Sequence, residues 1–183
     1  MTATRESLMA RLDELGIETR TVEHPPVFTV EEAKDLRGDL PGGHTKNLFL
    51  KDKKGALWLV VCLEDRRVDL KALRKRLGAA QLSFGKPDLL REKLGIEPGS
   101  VTPFSVINDH GGAVTLVLDR EMLDIDPLNF HPLRNDATTQ IAPADLVAFA
   151  RATGHEPLIS EIDETRDEQT PRMEGRGGPA ALC

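Results

Sequence analysis

The sequence predicts a single α+β domain, a mixed β-sheet with flanking helices. Three observations carry that expectation. The chain has 183 residues, enough for one self-sufficient core. Strand-like apolar runs and helix-like apolar stripes follow one another in no regular order, which argues for a mixed sheet over a doubly wound parallel one. Capping and turn residues separate the segments.

The elements follow in chain order. Thr4 suits an N-cap for a helix to about Leu15, with Leu8, Leu12 and Leu15 on one face and Gly16 as its stop. The β-branched stretch Ile17 to Glu23 reads as a strand, broken by His24-Pro25-Pro26. Thr29 with Glu32 forms a capping-box signature for a short helix to Leu36. Residues 37–46, rich in Gly and Pro, read as a loop. Asn47–Leu50 and Ala56–Leu63 flank Lys51-Asp52-Lys53-Lys54-Gly55 and predict a hairpin. Asp69 caps a basic helix over 70–77 that Gly78 closes. A short strand at Ala80–Phe84, a helix from Pro87 to Gly95, and a strand at Ala113–Asp119 come next. Thr138–Ile141 reads as a strand, and Pro143 opens a helix to about Thr153, with Ala142 at a position where Ser or Thr caps better. The domain is expected to span 1–163, with 164–183 a disordered tail that lacks periodicity and apolar content.

Composition narrows the function classes. Only two cysteines occur: Cys62 inside an apolar run and Cys183 at the end, so no disulfide framework is expected and a cytoplasmic setting fits. No apolar run approaches the roughly 20 residues that span a bilayer, so no membrane partner is expected. The net charge of -6 argues against indiscriminate nucleic-acid coating. Yet residues 51–76 hold nine Lys/Arg against four Asp/Glu, a basic face able to touch one end of a nucleic acid or simply to keep the surface soluble. No phosphate-binding loop, dinucleotide fingerprint, paired metal-ligand spacing or nucleophile elbow occurs, so neither cofactor nor metal is expected.

Three polar segments remain. Lys46, in His44-Thr45-Lys46-Asn47, enters an apolar strand, where an ammonium needs a partner unless it snorkels from a strand end. Gly99-Ser100-Val101-Thr102-Pro103 suggests a fixed loop whose backbone N–H groups face a carbonyl oxygen, or an ordinary turn. His131, in Asn129-Phe130-His131-Pro132, is either structural or functional.

Together and in this order, Thr45–Leu50, Gly99–Phe104, and Asn129–Pro132 with Thr138-Thr139 resemble the YbaK/prolyl-tRNA synthetase-associated editing family over about residues 5–162. The similarity points to its ProXp-ala branch, the free-standing Ala-tRNA(Pro) deacylases. The resemblance implies a compact mixed α/β domain that hydrolyses alanine from the 3′ end of tRNA(Pro). It implies an essential Lys46 that anchors the substrate's carbonyl or phosphate. It also implies substrate contacts from Asn47, Gly99, Ser100, Val101, Thr102, Pro103 and His131, with His131 acting directly or structurally. Lys51, Lys53, Lys54, Lys71, Arg74, Lys75 and Arg76 are candidates for the acceptor stem. Prolyl-tRNA synthetase is a further candidate partner, and a monomer is expected. Alternatives are a Cys-tRNA(Pro) or other small aminoacyl-tRNA deacylase, and a non-catalytic nucleic-acid-binding module.

Overall fold

The computed structural model describes residues 1–37 and 40–162; the expected tail at 164–183 lies outside them. Eight strands form one mixed sheet in the order β1-β7-β6-β2-β3-β5-β8, with β4 also paired to β2. They are β1 (Thr19–Glu23), β2 (Gly43–Asp52), β3 (Leu57–Leu63), β4 (Leu82–Phe84), β5 (Val114–Asp119), β6 (Leu128–Phe130), β7 (Ala137–Ile141) and β8 (Leu158–Ser160). The helices are α1 (Arg5–Glu14), α2 (Val30–Arg37), α3 (Leu70–Leu77), α4 (Pro87–Leu94) and α5 (Pro143–Ala152).

Local chemistry explains the helix ends. Thr4 caps α1, and Ser7 answers it reciprocally in place of the usual Glu or Gln. In α2 the Glu32 N–H donates to Thr29 Oγ1 at 3.1 Å while the Thr29 N–H donates to Glu32 Oε2 at 3.2 Å. Asp69 caps α3, and Gly78 and Gly95 close α3 and α4 in the left-handed conformation. Ala142 makes no side-chain cap to α5, whose Pro at the first turn leaves one N–H fewer to satisfy.

Strands β2, β3 and β5 are buried on both faces, so their sequences read as continuous apolar runs. Alternation sends Phe49, Leu59 and Val61 into a core with α1, α4 and α5 residues such as Leu8, Leu94 and Phe149. It sends Leu48, Leu50, Val60 and Cys62 into a second core beneath α3, with Leu73 and Ile162.

Several expectations need adjustment. The first strand begins at Thr19, since Ile17 turns into the core. The loop expected over 37–46 ends early: β2 starts at Gly43 because Gly43 and His44 pair in parallel with Leu128 and Asn129. The short strand expected from Ala80 begins at Leu82. Strands β6 and β8, and the 3-10 turns Pro103–Asn108 and Glu121–Asp124, were not anticipated.

Candidate active site

Parallel strands β2 and β6 pair only at two positions, Gly43 with Leu128 and His44 with Asn129. Beyond them β2 runs on beside β3, and β6 turns to β7. Thr45 Oγ1 donates to the Asn129 carbonyl at 2.9 Å, the last link before the strands part. A half-open cavity of ≈ 40 Å³ occupies the parting. Thr45, Asn47, Asn129 and Phe130 form one part of its wall, and Val27, Ala33 and Leu36 form an apolar part.

Glycine at position 42 makes this junction possible. Its φ is +103°, and a Cβ there would lie 2.2 Å from the Pro127 carbonyl oxygen. The neighbouring Gly43 N–H donates to that same oxygen at 2.8 Å. Asn129 Nδ2 braces the approach by donating to the Pro41 and Gly43 carbonyls, each at 3.1 Å, and Gln140 Nε2 donates to Pro41 at 2.9 Å.

Two imidazoles, of His24 and His131, face the cavity with ring centroids 6.2 Å apart. His24 contacts the Pro25 carbonyl through Nδ1 at 2.8 Å and Thr138 Oγ1 through Nε2 at 2.9 Å. A tight turn through Leu133, at φ 67°, follows His131. His131 Nδ1 lies 3.0 Å from the Ala137 carbonyl. A carbonyl only accepts, so Nδ1 carries the proton and Nε2 of the neutral ring is an acceptor. Burial holds the His131 pKa below its ordinary value, against the opposing pull of the Ala137 carbonyl.

An open groove of ≈ 470 Å³ adjoins the cavity, bordered by Gly42, Leu63, Asp65, Arg66 and Ile125, and shares His44 and Glu64 with it. Lys46 leaves the opposite sheet face to Asn47, as consecutive strand residues must. Its ammonium donates to the Arg66 carbonyl. The Arg66 guanidinium pairs with the buried Asp119 carboxylate at 3.4 Å and with Glu121. Cys62, the cross-strand partner of Lys46, is buried, and burial pushes its thiol up to about 12, so it is no nucleophile.

The structure thus brings Asn47 and His131 to one cavity, while Lys46 lines neither recess and bonds to Arg66, which borders the groove. It does not bring Gly99–Pro103 to either lining. Those residues are buried; the Ser100 N–H donates to the Glu97 carbonyl, and Thr102 caps the following 3-10 turn. The next residue, Phe104, packs edge-on against Phe130 of the cavity wall at 5.9 Å. Lys51, Lys53 and Lys54 are exposed around the β2–β3 turn. Asp52 ties that turn to the end of α3, accepting from the Lys54, Ala56 and Ala80 N–H groups. The same anchor therefore sets the turn beside the end of α3, the helix that carries Lys71, Arg74, Lys75 and Arg76, and Arg76 also pairs with Glu161. His24 and Gln140 were not singled out, and Thr45 and Thr138, though within the quoted motifs, were given no role; the structure's strand register brings them together. Among the described residues no group of three His, Cys, Asp or Glu side chains could hold a metal ion. No helix among them is long and apolar enough to cross a membrane.

Comparison with known proteins gives this arrangement its class. The fold is that of a solved structure described as a candidate trans-editing enzyme for prolyl tRNA synthetase, with a TM-score of 0.69 and 22% identity over 90% of this chain and 99% of that one. Residues 24–149 match the aminoacyl-tRNA editing domain family. The mouse prolyl-tRNA synthetase associated domain-containing protein 1 is 43% identical over 87% of this chain and 96% of its own length. The prolyl-tRNA editing protein ProX of Acetoanaerobium sticklandii is 36% identical over 82% of this chain and 93% of its own. The chain belongs to the aminoacyl-tRNA editing domain family. It is an aminoacyl-tRNA deacylase, a hydrolase of the ester that joins an amino acid to tRNA.

Proposed function

We propose that the chain acts in trans on tRNA(Pro), in the cytoplasm and as a monomer, removing mischarged alanine. The observation that carries this reading is the small cavity beside the larger groove. The small volume of the cavity, ≈ 40 Å³, supports a methyl side chain over a pyrrolidine ring. The open groove of ≈ 470 Å³, contiguous through His44 and Glu64, suits the terminal adenosine. Such a second sieve answers a chemical need, because a proline pocket discriminates against a smaller apolar side chain by only ~1–3 kcal/mol.

In this reading the ester carbonyl sits where cavity and groove meet. Lys46, released from the Arg66 carbonyl, anchors the carbonyl or the terminal phosphate and stabilises the developing oxyanion. His131 Nε2 accepts a hydrogen bond from the attacking water. The water oxygen bonds to the acyl carbon, the bond from that carbon to the ribose oxygen breaks, and a water proton passes to the departing ribose oxygen. The vicinal 2′-hydroxyl assists. Asn47 contacts the substrate within the cavity. The loop Gly99–Pro103 shapes the pocket from behind through Phe104 against Phe130. The exposed lysines of the β2–β3 turn and the basic face of α3 receive acceptor-stem phosphates, and prolyl-tRNA synthetase is the partner whose error is corrected.

The test is deacylation of Ala-tRNA(Pro), Cys-tRNA(Pro) and Pro-tRNA(Pro), with the parent and Lys46→Ala. Fast loss of alanine, sparing of proline and collapse in the variant are expected. Preference for cysteine would assign the neighbouring specificity, and loss of proline at an equal rate would contradict the sieve.

A further inference from the structure

His24 lines the cavity, yet both of its ring nitrogens are spent on the protein itself. Nδ1 lies 2.8 Å from the Pro25 carbonyl, and Nε2 lies 2.9 Å from Thr138 Oγ1. A carbonyl only accepts, so Nδ1 carries a proton, and in the neutral ring the Thr138 hydroxyl donates to Nε2. A protonated ring would donate to both partners, so either charge state keeps both bonds. The backbone is pinned as well: the His24 N–H donates to the Asp136 carbonyl at 3.0 Å. Thr138 is in turn fixed in β7, where it pairs with Val22 of β1. Beside this ring lies that of His131, held by the Ala137 carbonyl, with the centroids 6.2 Å apart and the planes tilted by 58°. Rings at that separation touch, so the two imidazoles form one continuous part of the wall. Elsewhere the wall is aliphatic, and Leu36, one of its members, is 45% exposed.

A small cavity rejects a larger side chain only where its wall cannot yield. An apolar wall that relaxes around the extra carbons of proline gives up most of its discrimination. A ring bonded at both nitrogens resists, because moving it aside breaks a hydrogen bond and leaves a polar atom unsatisfied. We propose that His24 sets the upper size limit of the cavity: its ring, locked between Pro25 and Thr138 and flanked by His131, is the part of the wall that turns the prolyl ring away. His24 is then a specificity-determining residue, and Thr138 is the positioning residue that holds it. This role rests on the deacylase reading of the cavity and deepens it. It also divides the labour of the two histidines. His131 keeps Nε2 for the attacking water, whereas His24 spends both nitrogens on its own support.

The experiment measures deacylation of Ala-tRNA(Pro) and Pro-tRNA(Pro), corrected for spontaneous hydrolysis, by the parent, His24→Ala, Thr138→Val and Thr138→Ser. The readout is the ratio of kcat/KM for the alanyl ester to that for the prolyl ester. Both esters are read on one preparation, so a partly unfolded fraction cancels from the ratio. His24→Ala is expected to lower the ratio at least about tenfold, through a gain on the prolyl ester, the low end of what one methylene is worth in a pocket. Thr138→Val keeps the shape of the side chain but removes the donor to Nε2, and is expected to lower the ratio by a smaller factor. Thr138→Ser keeps the hydroxyl and is expected to keep the parental ratio. A parental ratio in His24→Ala or in Thr138→Val would overturn the proposal and leave the deacylase reading standing. Should His24→Ala be inactive on both esters, Thr138→Val decides alone. A parent that removes proline as fast as alanine would overturn the sieve and this role with it. A parent inert on Ala-tRNA(Pro) would overturn the deacylase reading itself.

Discussion

His131 Nδ1 lies 3.0 Å from the Ala137 carbonyl, and that bond decides what the other ring nitrogen can do. With Nδ1 protonated, the neutral ring presents Nε2 as an acceptor. Burial sets the folded pKa below the ordinary 6.5, although the Ala137 carbonyl pulls it back. The folded state therefore resists protonation. The stability linked to this ring is complete above pH 6.5 and is lost as pH falls through the lower folded value. Deacylation, corrected for spontaneous hydrolysis, is expected to stay level through pH 6.5 and to fall only as pH drops through the lower folded value. His131→Ala is expected to lower kcat about 10²-fold. A profile that rises on acidification would contradict the acceptor role.

Asp109 and His155 form a second buried pair, 2.9 Å apart and each 4% exposed at the side chain. Burial alone would raise the Asp109 pKa. Hydrogen bonds from His155 and the Val114 and Ala113 N–H groups outweigh it, and the net shift is downward. The pair ties the end of α5 to the start of β5. The stabilisation is present above the ordinary carboxylate pKa and is lost as pH falls through the depressed folded value. His155→Ala is expected to destabilise by about 3 kcal/mol, because it leaves a buried carboxylate short of a donor. Denaturant unfolding at pH 7 measures this, and the loss should shrink in acid. A change under about 1 kcal/mol at pH 7 would mean that the two N–H groups suffice.

At Gly42 a methyl group would collide with the Pro127 carbonyl in a backbone conformation that L-residues avoid. Gly42→Ala is expected to cost about 2–3 kcal/mol and to reduce deacylation by unpairing Gly43 from β6. Thermal melting and the activity assay should move together. Full activity in a destabilised variant would separate the site from this junction.

The helices were legible because their ends are written locally. Thr4, Asp69, Pro87, Gly78 and Gly95 each do at the terminus what their chemistry predicts. The central hairpin was legible from its apolar runs. Strand β6 was not, because three residues inside Pro127–Pro132 carry no period; they become a strand through β2 and β7, which come from elsewhere in the chain. The site divides in the same way. Asn47 and His131 lie in motifs that single them out, whereas His24 and Gln140 reach the cavity region through cross-strand register alone. One further signal lies in the sequence itself: Lys46 and Asn47 are consecutive in a strand, so their side chains leave opposite faces of the sheet.

The basic turn and α3 carry a prediction about salt. Lys53→Glu with Lys54→Glu changes exposed charges and leaves the Asp52 anchor in place. The double variant is expected to raise KM for Ala-tRNA(Pro) with kcat little changed. It should also flatten the salt dependence of tRNA binding by roughly 0.7–0.9 in slope for each phosphate that the protein no longer neutralises. An unchanged slope would assign these lysines to solubility alone.

The cavity between β2 and β6 measures the amino-acid side chain in this account. Ala33 lines it from α2 and belongs to neither hydrophobic core, so Ala33→Leu fills the cavity without replacing a core residue. The decisive measurement is the rate of Ala-tRNA(Pro) deacylation by this variant beside the parent, with melting curves for both. A loss of at least about tenfold at an unchanged melting temperature is the expected result. A parental rate in the filled variant would place the reaction somewhere other than this cavity.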